Sequence, residues 1–223
     1  MTNFLEVHFG IGAAAKTLPA DHGYALYSAV KKVVQAAGID PADLPSDVKL
    51  CSVPGVRRQD GKIYLHPQSR VRLRCPAEHV QTWYRLLQNQ QLTIQGHRIR
   101  LVKPRLMLPE VSDTLRSRMV TFKLEKVDHP ELPKYFLEFC RKGLERLEIK
   151  AEATFIPSDD DGNLARRTLQ VKDKKIIGYS IVVEGLSEAD SLKLQWHGLG
   201  GRQHFGCGWF YPYKEEAIDE FES

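Results

Sequence analysis

The sequence contains no C-x-x-C pair, no H-E-x-x-H and no G-x-x-x-x-G-K-[ST]. It also has no apolar run approaching the ~18 residues of a membrane span. Each absence removes a class of function. The four cysteines, Cys51, Cys75, Cys140 and Cys207, stand far apart, so neither a disulfide framework nor a thiolate zinc site is expected. A reducing cytoplasm is the expected compartment. The histidines show no strong metal-binding spacing, so neither a metal nor another cofactor is expected. The opening residues Met1–His8 lack the basic region and apolar core of a secretion signal, and no membrane partner is expected. A strong charge of one sign is missing too. The balance of 32 Lys+Arg against 28 Asp+Glu leaves +4, which permits an anionic partner without demanding one.

What is present is the patterning of a folded α+β chain. With 42% hydrophobic residues among 223, there is enough apolar surface for one large domain or two small ones. Leu5, Val7 and Phe9 alternate with other residues between Asn3 and Ile11, the period of a half-buried strand. Asp21 is placed to cap a helix whose apolar residues Leu26, Val30, Val33, Val34 and Ala37 recur at helical spacing until Gly38. Strand-like runs at Val48–Val53 and Arg70–Arg74 follow, with a turn at Gln59-Asp60-Gly61 between them. A helix from Pro76 carries Val80, Trp83, Leu86 and Leu87 on one face, and Leu92–Ile94 and Ile99–Val102 flank a tight turn at Gln95-Gly96. The resulting order, β-α-β-β-α-β, is that of a ferredoxin-like unit.

After the Pro104–Pro109 stretch the order starts again. A strand is expected at Met119–Leu124, a helix from Pro130 to Leu147, and strands at Ile149–Ile156, Thr168–Val171 and Ile176–Val183. A short helix capped by Ser187 and a final strand at Cys207–Tyr211 complete it. The expected fold class is therefore α+β, with two tandem ferredoxin-like (βαββαβ, RRM-like) domains over 1–108 and 109–223. Asp159-Asp160-Asp161-Gly162-Asn163 lacks the alternating acids and distal Glu of a calcium loop and reads as an acidic turn.

The most unusual stretch is His197–Phe210, HGLGGRQHFGCGWF. Its spacing fits neither the Walker motif nor the dinucleotide fingerprint. Glycines admit positive φ and close approach, so successive N–H groups can form an anion-binding concavity with the Arg202 fork beside it. The alternative is a helix C-cap at Gly198 followed by a plain loop into the last strand.

Two segments together resemble the CRISPR repeat-processing endoribonucleases, the Cas-six family of the repeat-associated RNA-binding superfamily. Gly198-Leu-Gly200-Gly-Arg202-Gln-His204-Phe-Gly206-Cys-Gly208 matches the family's closing loop, G-x-G-x-x-x-x-x-G-x-G. Leu18–Ala29, LPADHGYALYSA, looks like the start of its first helix, where the catalytic histidine often lies. The resemblance implies that His22 is catalytic, that Tyr24 or Tyr27 orients the reacting groups, and that Gly198, Gly200, Gly201, Arg202 and His204 contact RNA. The chemistry needs little else. A deprotonated RNA 2′-hydroxyl attacks the adjacent phosphorus, and the departing 5′-oxygen takes up a proton; a histidine titrating near neutrality serves either step without a metal. His8 lies in a strand, and among the remaining histidines only His197 and His204 flank the glycine loop; none makes a comparable case.

Basic residues form further candidates. Arg70, Arg72 and Arg74 alternate with Val71 and Leu73, and Arg57-Arg58 precede them. Arg166-Arg167, Lys172, Lys174 and Lys175 cluster about a hairpin in the second half. Each group reads either as phosphate contacts or as a solvated face. On the helix from Pro130, Arg141, Lys142 and Arg146 interleave with acids, a solvated pattern. The expectation is a metal-independent endoribonuclease that binds the repeat stem-loop of precursor CRISPR RNA. The resemblance also implies that it stays on the guide with Cas-five and Cas-seven subunits. The rival expectation is a catalytically silent RNA-binding subunit.

Overall fold

A computed structural model describes residues 3–12, 15–40, 47–57, 60–122, 132–155 and 165–213. The fold is mixed α+β, with four α-helices and three sheets among the described residues. The chain divides into two compact units, one built on residues up to Pro109 and the other on Glu110–Tyr213.

In the first unit, β1 (Phe4–Gly12) is the central strand, because its alternation buries Val7 and Phe9 on one face. It pairs antiparallel with β6 (Arg70–Pro76) and with β8 (His97–Met107). The short β3 (Lys49–Leu50) and β7 (Gln91–Ile94) complete the order β3-β6-β1-β8-β7. Helices α1 (Gly23–Ala36) and α2 (Val80–Leu87) cover one face, where Leu26, Val30, Val34, Trp83 and Leu87 join Val7, Phe9, Val71 and Leu73 in a single core. A small second sheet, β2 (Thr17–Pro19), β5 (Lys62–Tyr64) and β4 (Val56–Arg57), was not apparent in the sequence pattern.

Several local expectations are corrected. Asp21 does not cap α1: the N-cap is His22, without a side-chain capping bond. Pro76 ends β6 rather than opening a helix, and a 3-10 turn at Ala77–His79 leads into α2. Strand β8 continues through Pro104, because the register slips between His8↔Arg105 and Gly10↔Val102 and Lys103 takes φ 46 there. A bulge is a place where a strand tolerates proline. The arginines of β6 are not a uniformly outward row: Arg70 and Arg72 are partly exposed, but Arg74 is fully buried.

In the second unit, β9 (Leu115–Thr121), β10 (Glu152–Phe155), β11 (Arg166–Val171), β12 (Lys174–Glu184) and β13 (Tyr211–Pro212) form a sheet of order β10-β12-β9-β13, with β11 also pairing β12. Helix α3 (Leu132–Arg146) buries Leu132, Phe136, Cys140 and Leu144, spaced at whole turns, while Arg141 bridges Glu138 and Glu145 on its solvated side. Helix α4 (Glu188–His197) starts as expected, with Ser187 Oγ accepting from the Asp190 N–H at 3.1 Å. The expected last strand is shorter, since Cys207–Phe210 belong to the glycine-rich loop. Asp159–Asn163 lies outside the described residues.

Candidate nucleic-acid interface and active site

The glycine-rich loop is bound into the second unit from both faces of its sheet. Leu199 and Phe210 belong to the core under α3 and α4, whereas Cys207 and Phe205 pack with Met119, Leu169, Val171 and Ile176 in a separate cluster. This path forces very close backbone contacts. A Cβ on Gly200 (φ 74) would lie 2.1 Å from the Thr121 carbonyl oxygen, and one on Gly208 (φ 64) 2.2 Å from that of Leu199. Only glycine fits.

The same packing uses up donors. The N–H groups of Gly198, Gly201, Gly206 and Gly208 donate to Leu194, Thr121, Gln203 and Met119 carbonyls. Those four are therefore not the free N–H concavity expected from the sequence; the glycines chiefly serve packing. Gly201 is exposed with open space around its α-carbon, and Arg202, in the left-handed region at φ 59, and His204 are partly exposed. His204 meets Phe205 edge-on at 4.1 Å between ring centroids.

The cluster that holds Phe205 also holds Leu169 and Val171 of β11, so the structure brings the β11–β12 hairpin to the loop. Arg167 points its Nε at Ser180 Oγ (3.3 Å), while Arg166, Lys174 and Lys175 are exposed. Sequence reasoning missed a third element. Arg116 on β9 stacks on Tyr211 (5.9 Å) and Tyr213 (5.3 Å), with its buried Nε lacking a hydrogen-bond partner among the described residues. Only the register Arg116↔Tyr211 creates this group. An aromatic and guanidinium surface of this kind can stack an unpaired base.

In the first unit, the sheet face opposite the helices carries a polar cluster. Glu6 stands across from Arg74, and His8 across from Arg72 on one side and Arg105 on the other. Arg74 donates from Nε (3.0 Å) and Nη2 (2.5 Å) to Glu6 Oε1, and Glu6 Oε2 lies 2.6 Å from His8 Nε2. Burial alone would raise the Glu6 pKa; the His8 hydrogen bond and the Arg74 charge outweigh it and hold the carboxyl at about 2. Next to it, burial and the Arg74 charge bring the Lys49 ammonium down to about 7, against a smaller upward pull from Asp47. Arg72 donates to Cys51 Sγ at 3.0 Å. Arg70 is engaged with the Pro67 and Ser69 carbonyls. Arg57 lies in β4 and Arg58 lies outside the described residues. The sequence signal for this face was the parity of Glu6 and His8, opposite to Leu5, Val7 and Phe9.

His22 is placed differently from the catalytic expectation. Its ring is only 1% exposed. Nδ1 donates to the Pro19 carbonyl at 2.8 Å and Nε2 accepts the Val53 N–H at 2.8 Å. The carbonyl can only accept and the amide can only donate, so one tautomer is fixed and neither nitrogen is open to a substrate. The ring joins the β2–α1 corner to the segment after β3. Tyr24 and Tyr27 are half-buried on α1, Tyr27 against the core and beneath the Lys31 ammonium. The thiols offer no nucleophile: all four cysteines are buried, and burial pushes Cys75 and Cys140 up to about 12.

Comparison with known proteins adds to this geometry. A family model described as Cas6 Crispr matches residues 5–215. A CRISPR-associated endonuclease Cas6 from Myxococcus xanthus is 34% identical over 195 residues, covering 87% of this chain and 76% of that protein. A solved CRISPR associated protein Cas6 superposes with a TM-score of 0.65 at 12% identity, covering 95% of this chain and 100% of its own. A RAMP protein binding different RNA substrates gives 0.63 at 14% identity, covering 95% and 99%. The product of a Cas6-related gene from Pyrococcus furiosus gives 0.61 at 14% identity, covering 95% and 98%. At these identities the solved structures speak to the fold.

Proposed function

The chain belongs to the Cas6 family, and from that premise we propose that it is a metal-independent endoribonuclease that processes precursor CRISPR RNA. It binds the repeat stem-loop and cuts it by 2′-hydroxyl attack, leaving a 2′,3′-cyclic phosphate and a 5′-hydroxyl. The observation that carries this reading is the family match from β1 to past β13, which includes the closing glycine loop. The exposed Arg166 and Lys174 and the partly exposed Arg202 and His204 of the second unit supply phosphate contacts, and Arg116 with Tyr211 and Tyr213 supplies stacking. Each unit is read as an elaborated ferredoxin-like domain. The orders β3-β6-β1-β8 and β10-β12-β9-β13 support this, both placing the second, third, first and fourth strands of a βαββαβ unit side by side. After cleavage the protein remains on the guide RNA with Cas-five and Cas-seven type subunits.

A second reading, a silent RNA-binding subunit, draws support from the engagement of both His22 ring nitrogens. Incubation with the repeat RNA of the accompanying CRISPR array, in the presence of a chelator, separates the two. The proposed enzyme yields a cyclic-phosphate product and leaves a repeat with a 2′-deoxy scissile nucleotide uncut. Binding without cleavage establishes the silent subunit instead.

A further inference from the structure

On the helix-free sheet face of the first unit, His8 is the histidine placed as a proton carrier is placed. Its side chain is 22% exposed, whereas that of Arg74 behind it is fully buried. Its ring makes one hydrogen bond among the described residues, through Nε2 to Glu6 Oε2. The other Glu6 oxygen is held by two Arg74 donors, so the carboxylate is fixed in place as an acceptor. An ionised carboxylate can only accept. Nε2 must therefore carry the proton, and neutral His8 presents a free lone pair at Nδ1.

The flanking residues suit a phosphodiester. Arg72 and Arg105 are the direct cross-strand neighbours of His8 on β6 and β8, about 5 Å away between Cβ atoms in such pairs. Arg105 is exposed. Among the described residues, the titratable and charged groups on this face are Glu6 on the same strand, Arg70, Arg72 and Arg74 on β6, Arg98, Arg100 and Arg105 on β8, Lys49 on β3 with Asp47 beside it, and the Cys51 thiol against Arg72. Glu6 is the carboxylate in contact with His8, and Arg74 and His8 occupy its two oxygens.

We propose that His8 is the general base of this ribonuclease, with Glu6 as its positioning residue and Arg72 and Arg105 as contacts to the scissile phosphate. The inference rests on the ribonuclease reading above. His8 Nδ1 takes the 2′-hydroxyl proton as the O2′–P bond forms and the P–O5′ bond breaks. The departing 5′-oxygen takes a proton from water, and His8 later returns its own to solvent. No oxidant, reductant or further reactant enters.

The test is single-turnover cleavage of the cognate repeat RNA by the full chain and by the variants His8→Gln and His8→Ala. Glutamine can still donate to Glu6 but cannot shuttle a proton at neutral pH. His8→Gln should cut at least about 100-fold more slowly, the lower range for loss of a general base. It should keep the wild-type melting temperature and wild-type affinity for the uncleavable 2′-deoxy repeat. Added imidazole should restore cleavage by His8→Ala. Wild-type rates in either variant, or absence of imidazole rescue, overturn the assignment while repeat cleavage by the unaltered chain still stands. Failure of the unaltered chain to cut its repeat overturns the ribonuclease reading and this inference with it.

Discussion

His8 and His22 differ in what their ring nitrogens have left to offer. His22 spends both on backbone partners inside the core. Replacing it with alanine strands the Pro19 carbonyl and the Val53 N–H, each costing about 1–3 kcal/mol when buried without a partner. His22→Ala is therefore expected to lose roughly 2–5 kcal/mol of folding stability in a denaturant melt. A melt superimposable on that of the unaltered protein would refute the cross-linking role. Glu6 gives a second prediction at this scale. Its pKa falls from 4.5 to about 2 on folding, so its contribution is complete above about 4.5 and fades as pH drops toward about 2. Removing one partner of a buried ion pair costs roughly 3–5 kcal/mol. The stability advantage over Glu6→Gln should be of that order at pH 7 and shrink steadily in melts taken below pH 4.5. An advantage that stays constant with pH would show that the Glu6 charge is not what holds Arg74.

At the scale of elements, the glycine loop separates glycines that shape the backbone from one that leaves space. Gly200 has positive φ and a carbonyl where a Cβ would go; Gly201 has neither. Gly200→Ala should displace the loop from β9 and weaken repeat-RNA binding, whereas Gly201→Ala should leave the fold and its melting temperature intact. Equal melting temperatures and equal affinities in the two variants would contradict this packing account. The same loop shows what the sequence could and could not disclose. Its spacing was legible and pointed to RNA, and the periodicities of β1, α1, α3 and β12 gave the right elements in the right order. The destination of the Gly201 and Gly208 N–H groups was not legible, because their acceptors, Thr121 and Met119, lie roughly 80 to 90 residues earlier in the chain. The Arg70-Arg72-Arg74 row failed for the same reason. Alternation correctly placed the three on one face, but only the pairing Glu6↔Arg74 reveals that the third is buried against a carboxylate. Likewise His8 read as an ordinary strand residue until pairing set it between Arg72 and Arg105. Local periodicity identifies elements, whereas sites arise from register.

At the scale of the whole molecule, a net charge of +4 spread over 223 residues is too small to make the chain a general polyanion binder. Affinity for RNA must then come from a few local groups that each neutralise a phosphate and release its counterion. The β11–β12 hairpin is the clearest such group, with Arg166, Lys174 and Lys175 all exposed. Each phosphate contact contributes about −0.7 to −0.9 to the slope of log affinity against log salt. Binding of the repeat RNA should weaken with salt, and changing these three residues together to alanine should flatten the slope by up to about 2 to 3. Filter binding or fluorescence anisotropy over a salt series reads this directly. An unchanged slope with reduced affinity would mean that the hairpin acts through shape or base contacts rather than through phosphates. An unchanged affinity would remove the hairpin from the interface and leave the loop, Arg116 and the two tyrosines to carry the second unit's share of binding.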